Sequence, residues 1–161
     1  MNQQLINQPT YIITSSTLTL EPLHSSKNTT LVREKHQSLI VDQPVTGILS
    51  GNCELDGSTL LLRKKLMQFS MKQAVKKIPI VVNVKNGLVM IPTTSISSRE
   101  CCWISMNRVR KCYPVPHQNQ TLILFKCNEH TTVPVSVTQF NANLERAAEG
   151  FIQFLKHSSH H

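Results

Sequence analysis

Five cysteines and seven histidines among 161 residues raise the question of a metal centre or a reactive thiol. The stretch MIPTTSISSRECCWISMNRVRKC, residues 90 to 112, concentrates the question. It holds three of the five cysteines, the only tryptophan and four basic residues against one acid. A structural zinc site needs ligands spaced so that a turn wraps one ion, commonly two cysteines separated by two to four residues. Cys101 and Cys102 are adjacent, and neighbours on a strand point to opposite faces. Cys127 with His130 is the best remaining fragment, and Cys112 with His117 is a second pair only if the fold brings it there. Spacing therefore predicts no metal and no required cofactor, and the cysteines read as small buried hydrophobes. A cysteine nucleophile needs a thiolate and a base. Arg99, Arg108 and Arg110 could lower a thiol pKa, but nothing in the spacing sets His117 or His130 beside Cys101 or Cys102. No GxSxG, phosphate loop, dinucleotide fingerprint or HExxH is present, and the nine carboxylates are scattered. No catalytic residue is assigned, and the chain is not expected to be an enzyme. A cysteine-dependent enzyme is kept as the least favoured alternative.

The charge is more informative. Residues 59 to 112 carry eleven Lys/Arg (Arg63, Lys64, Lys65, Lys72, Lys76, Lys77, Lys85, Arg99, Arg108, Arg110, Lys111) and one acid, Glu100. The rest of the chain carries six basic and eight acidic residues. Solvated surfaces usually intersperse both signs, so a single-sign block of this length implies a partner with many negative charges. Nucleic acid is the commonest such partner and an anionic membrane the next. No apolar run reaches the ~20 residues needed to span a bilayer. MNQQLINQPT has neither a basic nor an apolar signal region, so a cytoplasmic protein with reduced thiols is expected.

The elements that must position these residues are legible in outline. YIITSSTLTLEPL (11–23) and TTLVREKHQSLIV (29–41) are Thr- and β-branched-rich and predict antiparallel strands joined at HSSKN. DQPVTG and LSGN read as breaks. DGSTLLLRKKL predicts a helix capped by Ser58, with Leu62, Leu66 and Phe69 packing inward and Arg63, Lys64 and Lys65 on the outer arc. Ser70 and Gln73 stand in capping-box spacing, predicting a second short helix from Met71 to before Pro79. IPIVVNVKNGLVMIP predicts a tight hairpin at Asn86-Gly87, its two-faced apolar arms suited to the centre of a sheet. A second hairpin turns at Asn128 to His130, and Pro134 places its second arm at an edge. The last helix carries a stripe of Phe140, Leu144, Ala148, Phe151 and Leu155, with Thr138 as cap. Trp103 reads as core, facing away from Cys102 and Ile104. The expected fold class is α+β: a largely antiparallel sheet, one or two short basic central helices and a C-terminal helix. Residues 1–157 are expected to form one DNA-binding domain, with 1–10 unstructured and 158–161 a tail.

Arg63, Lys64, Lys65, Lys76 and Lys77 are candidates for phosphate contact. Ser97, Ser98, Arg99, Asn107 and Arg108 are candidates for a groove or its rim. Hydroxyls, amides and guanidinium forks are the donors that phosphates and groove edges accept, and Arg suits a narrow, strongly negative minor groove. The serine pair reads equally well as turn caps. An RNA-binding accessory protein shares the charge pattern but needs exposed aromatics for stacking. The eight aromatics here lie mostly in core-like contexts.

The segment VVNVKNGLVMIPTTSISSRECCWISMNRV resembles the signature of the competence transcription factors of Gram-positive bacteria, the ComK family. That signature is an apolar hairpin, a Pro-Thr-x-Ser-x-Ser-x-Arg run, then Cys-x-Trp-Ile-Ser. GNCELDGSTLLLRKK upstream resembles the family's Cys-containing turn and its Arg-Lys pair, here Arg63 and Lys64. VPVSVTQFNANLERA downstream resembles its Pro-x-Ser segment and following helix. The likeness covers roughly residues 30 to 150. It implies an activator of DNA-uptake genes that binds double-stranded DNA at paired A-run and T-run boxes, largely through the minor groove. It also implies a homo-oligomer, a dimer with two dimers on a full site. Cys102 stands where the family is expected to carry Gly. The chain stops soon after Lys156, short of the longer tail through which some members are captured by a proteolytic adaptor, the remaining partner class that the resemblance brings.

Overall fold

The computed structural model describes residues 6–23, 28–71, 76–94 and 100–158. In chain order the elements are β1 (Ile6–Gln8), β2 (Thr17–Pro22), β3 (Thr30–Glu34), β4 (Ser38–Val41), α1 (Val45–Leu55), α2 (Leu60–Met71), β5 (Ile80–Asn83), β6 (Leu88–Pro92) and β7 (Trp103–Ser105). A 3₁₀ turn (Met106–Arg108) leads into β8 (Val109–Pro114), β9 (Thr121–Phe125), β10 (His130–Val133) and α3 (Val137–Ser158). The class is α+β, as the patterning predicts. A seven-stranded sheet runs β1-β4-β3-β2-β7-β6-β5, antiparallel except for the parallel β1/β4 pair. A second, antiparallel sheet runs β10-β9-β8.

Strand alternation sorts the core. Ile80, Val82, Leu88 and Met90 join Trp103 and the α1 residues Ile48, Leu49 and Cys53 in one cluster. Val81 and Val89, on the opposite face, meet Met67 of α2 and Phe154 of α3. Leu18 and Ile104 pack with Ile123, Phe125 and Phe140 against the small sheet and the start of α3. Burying each such side chain contributes about 2 kcal/mol. Trp103 is core, with Ile104 on the other face, as expected.

The Asn86-Gly87 hairpin forms, with Gly87 at φ 64°. Only one arm, β6, is internal, between β5 and β7. β5 is the last strand of the sheet. It is buried because α1 covers one face and α2 the other. Ile6–Gln8, placed by the sequence in an unstructured lead, pairs with β4. α1 was read as a break because of Pro44, Gly47 and Gly51. Pro44 is its N-cap, where a missing N–H costs nothing. Val45, Ile48, Leu49, Asn52 and Cys53 supply a buried stripe at helical spacing. α2 is started by Thr59 rather than Ser58: its hydroxyl accepts the Leu62 N–H at 3.1 Å. Its phase is partly turned: Leu66 packs and Lys65 is exposed, as expected, but the other positions differ. Leu62 and Phe69 are 57% and 67% exposed, while Arg63, Met67 and Ser70 are buried. The second basic helix was expected from Met71. Met71 ends α2, and residues 72–75 lie outside the described residues. α3 is capped by Ser136, whose hydroxyl accepts the Gln139 N–H at 3.2 Å. Its buried stripe is Phe140, Asn143, Ala147, Gly150 and Phe154, turned by about one residue, ~100°, from the expected one. Gly150 marks the crossing with α2. A Cβ there would lie 2.8 Å from Met71 Cγ and 2.9 Å from Met67 Sδ, so any larger residue would push these methionine side chains aside.

Candidate nucleic-acid interface

Antiparallel pairing brings the start of β5, the end of β6 and the start of β7 to one end of the large sheet. Ile80 sits opposite Met90, and Pro92 opposite Trp103. The β6–β7 connection leaves this end through a pinched stem. The Thr93 N–H donates to the Cys102 carbonyl at 2.8 Å, and the Cys102 N–H donates to Thr93 Oγ1 at 3.2 Å. The Cys101 thiol reaches the Thr94 carbonyl at 3.5 Å. Ser97, Ser98 and Arg99 belong to this connection and lie outside the described residues.

Lys76 and Lys77 precede β5 at the same end. Lys76 is exposed and Lys77 half-buried. Burial holds the Lys77 ammonium below the usual lysine range, and the Arg146 guanidinium on α3 lowers it further. Arg146 is thus a cation near this end that the sequence reading missed, because it lies far downstream on a helix read for its apolar stripe. Lys64 is half-buried and Lys65 exposed on α2. Lys64, Lys65, Lys76 and Lys77 form no ion pair with a described carboxylate.

Arg63 departs from its expected role. It is 7% exposed. One guanidinium nitrogen donates to the Val81 carbonyl at 2.9 Å; the other meets Asp56 Oδ2 at 3.0 Å and the Asp56 carbonyl at 3.2 Å. Its fork therefore ties α1, α2 and β5 together and is not presented to a phosphate. Asn107 and Arg108 lie beyond the far end of β7, with the hairpin turn, and so are not brought together with the β6–β7 connection. The Asn107 amide donates to the Gly87 carbonyl at 2.6 Å, locking the turn. Arg108 is half-buried; its Nε has no hydrogen-bond partner, and its carbonyl accepts the Lys126 N–H at 2.9 Å. Lys85 is exposed at that turn.

Burial acts on three of the thiols. Burial pushes Cys102 up to about 12, with Glu21 adding to the rise, and Cys53 up to about 11. Burial also raises Cys112. Desolvation, not the neighbouring arginines, sets these values. Among the described residues no group of three or more His, Cys, Asp or Glu is placed to hold a metal ion. No helix among them is long and apolar enough to cross a membrane.

A family model described as ComK protein matches residues 8–158. The chain belongs to the ComK family. No curated protein and no solved structure matches it. Membership in the ComK family supports a competence transcription factor.

Proposed function

We propose that this ComK-family chain is a cytoplasmic, sequence-selective DNA-binding activator of competence genes. It recognises A/T-rich promoter boxes largely through the minor groove, as a dimer with two dimers on a full site, and works without catalysis or cofactor. The observation that supports the DNA-binding part is that Lys64 and Lys65 on α2 and Lys76 and Lys77 before β5 pair with no described carboxylate. These four ammonium groups are assigned to phosphates. Ser97, Ser98 and Arg99 are assigned to the groove, entering from the stem set by Thr93 and Cys102. Asn107 and Arg108 are left to the rim at the other end of β7.

A salt titration of binding to three duplexes tests this. One carries paired A-run/T-run boxes, one has them replaced by G/C, and one has altered half-site spacing. Tight, spacing-dependent binding to the first alone is expected. Equal binding to all three would reduce the basic block to an electrostatic footprint and remove the sequence-reading function. Replacing Lys76 and Lys77 together with alanine is expected to lower the salt slope by about two units on every duplex. An unchanged slope would take both lysines out of the interface.

A further inference from the structure

The small sheet presents a second basic surface that none of the candidate residues above explains except at its margin. Residues directly opposite each other on antiparallel strands share a face. Thr121, Ile123 and Phe125 of β9 are buried, and Cys112 sits opposite Ile123, so this face packs on Phe140 and the start of α3. The other face carries Lys111 opposite Leu124 and Tyr113 opposite Leu122, with His130 and Thr132 completing it from β10. Lys111, Tyr113, His130 and Thr132 are exposed, and Leu122 and Leu124 half-buried. β8 is an edge strand. A register shift between Val109 and Lys111 makes Arg110 the extra residue of a bulge, and its side chain is exposed. Arg110 has only a 3.4 Å contact to Asn128 Oδ1, and neither it nor Lys111 pairs with a described carboxylate. Lys126 lies exposed at the β9–β10 turn. From 108 to 133 the chain holds four Arg/Lys and one acid, Glu129.

Charges on an edge strand also discourage edge-to-edge pairing. That role asks for nothing beyond the edge itself. It leaves unexplained an exposed Tyr113 on the sheet face and Lys126 at the turn on the far side of β9. A small antiparallel sheet of this size, ~20 Å along β8, is a kind of element that some proteins lay in a DNA groove.

We propose that the β8–β9 ribbon is a second duplex-DNA contact surface. Arg110 and Lys111 engage phosphates along one strand, and Tyr113 packs against the sugar-phosphate wall. The inference rests on the DNA-binding reading above and deepens it. The ligand is committed to duplex DNA by charge complementarity, and a single-stranded probe serves as the competing outcome.

The test is a salt titration of the full chain and of its Arg110→Ala/Lys111→Ala variant on the A/T-box duplex. Both side chains are exposed, so the variant should keep the parent's urea midpoint. The salt slope is expected to fall by about two units. A second measurement does not depend on that variant: a photo-crosslinking amino acid placed at 113, and for comparison at Ile152 on α3, is irradiated with duplex bound. Crosslinking from 113 and not from 152 is expected. An unchanged slope, no crosslink from 113, or a loss seen only with single-stranded probe would overturn the proposal while leaving the Lys76/Lys77 interface standing. A parent chain that binds no duplex would remove both readings together.

Discussion

Arg63→Ala should unfold the protein far more readily while leaving its DNA salt dependence alone. The guanidinium is buried and bridges Asp56 and Val81, and it lies over the Phe154 ring of α3, 5.7 Å from the centroid. Asp56 also accepts the Val84 N–H at 2.9 Å. Removing the arginine leaves the Asp56 carboxylate, 20% exposed, without its partner, at a cost near the low end for buried pairs, about 3 kcal/mol. At 2–4 °C per kcal/mol for a chain of this size, the melting temperature should fall by roughly 10 °C. Lys64→Ala, one residue on, should do the reverse: little change in melting, and a salt slope lower by about one unit. Thermal unfolding and the duplex titration on both variants separate the roles. A stable Arg63→Ala protein with a diminished salt slope would return Arg63 to the phosphates and overturn the structural assignment.

Asn52→Ala should cost about 3 kcal/mol, although it removes a polar side chain from an apolar cluster. Asn52 on α1 accepts the Ile13 N–H at 2.8 Å through Oδ1. Its amide donates to the Tyr11 carbonyl at 2.9 Å and to the Ile48 carbonyl at 2.8 Å. It thereby pins the irregular chain between β1 and β2 to the helix. The same stretch is held by the Tyr11 hydroxyl, which bonds Thr17 and Glu34. Burial and the Glu34 contact keep that phenol protonated well above the ordinary tyrosine range. Alanine would orphan buried backbone groups of Tyr11 and Ile13, at about 1–3 kcal/mol each. In urea the midpoint should drop by about 1–2 M. A loss below about 1 kcal/mol would mean that the Tyr11 bonds hold this segment without the asparagine.

The strands and hairpins were legible because β-branched runs, Asn86-Gly87 and Pro134 each carry their own geometric reason. The helices were less so. α1 hid behind one Pro and two Gly, although its apolar residues stand at 45, 48, 49 and 53. The phase of α2 was misread because a guanidinium was assumed to seek water, whereas its ion partner, Asp56, lies seven residues earlier and marks no periodicity. α3 was off by one position because Asn143 and Gly150 occupy its buried stripe, and neither signals burial on a hydropathy scale. At the candidate interface, charge alone marked Lys64, Lys65, Lys76 and Lys77. It could not separate them from Arg63, because charge in a sequence carries no information on which cations are already spoken for by the fold. Arg110 and Lys111 were counted in the basic block but not assigned to a site, since the edge position and bulge that expose them exist only after β8 pairs with β9.

The large sheet is two pieces of chain. β1 to β4 come from residues 6–41 and β5 to β7 from residues 80–105. Among the described residues their backbones pair where Thr19 faces Ile104 and Leu20 faces Trp103. Each half can assemble from near neighbours, but the seam requires closing a long loop for a few backbone bonds, so it should form late. Pulsed hydrogen exchange during refolding should show the amides that bond across the β2/β7 seam protected after those that pair β2 with β3 and β5 with β6; simultaneous protection would mean that the halves do not fold separately. A molecule halted there would have both halves of its sheet, with the pinched stem of the β6–β7 connection already closed inside one of them, but no fixed relation between the two.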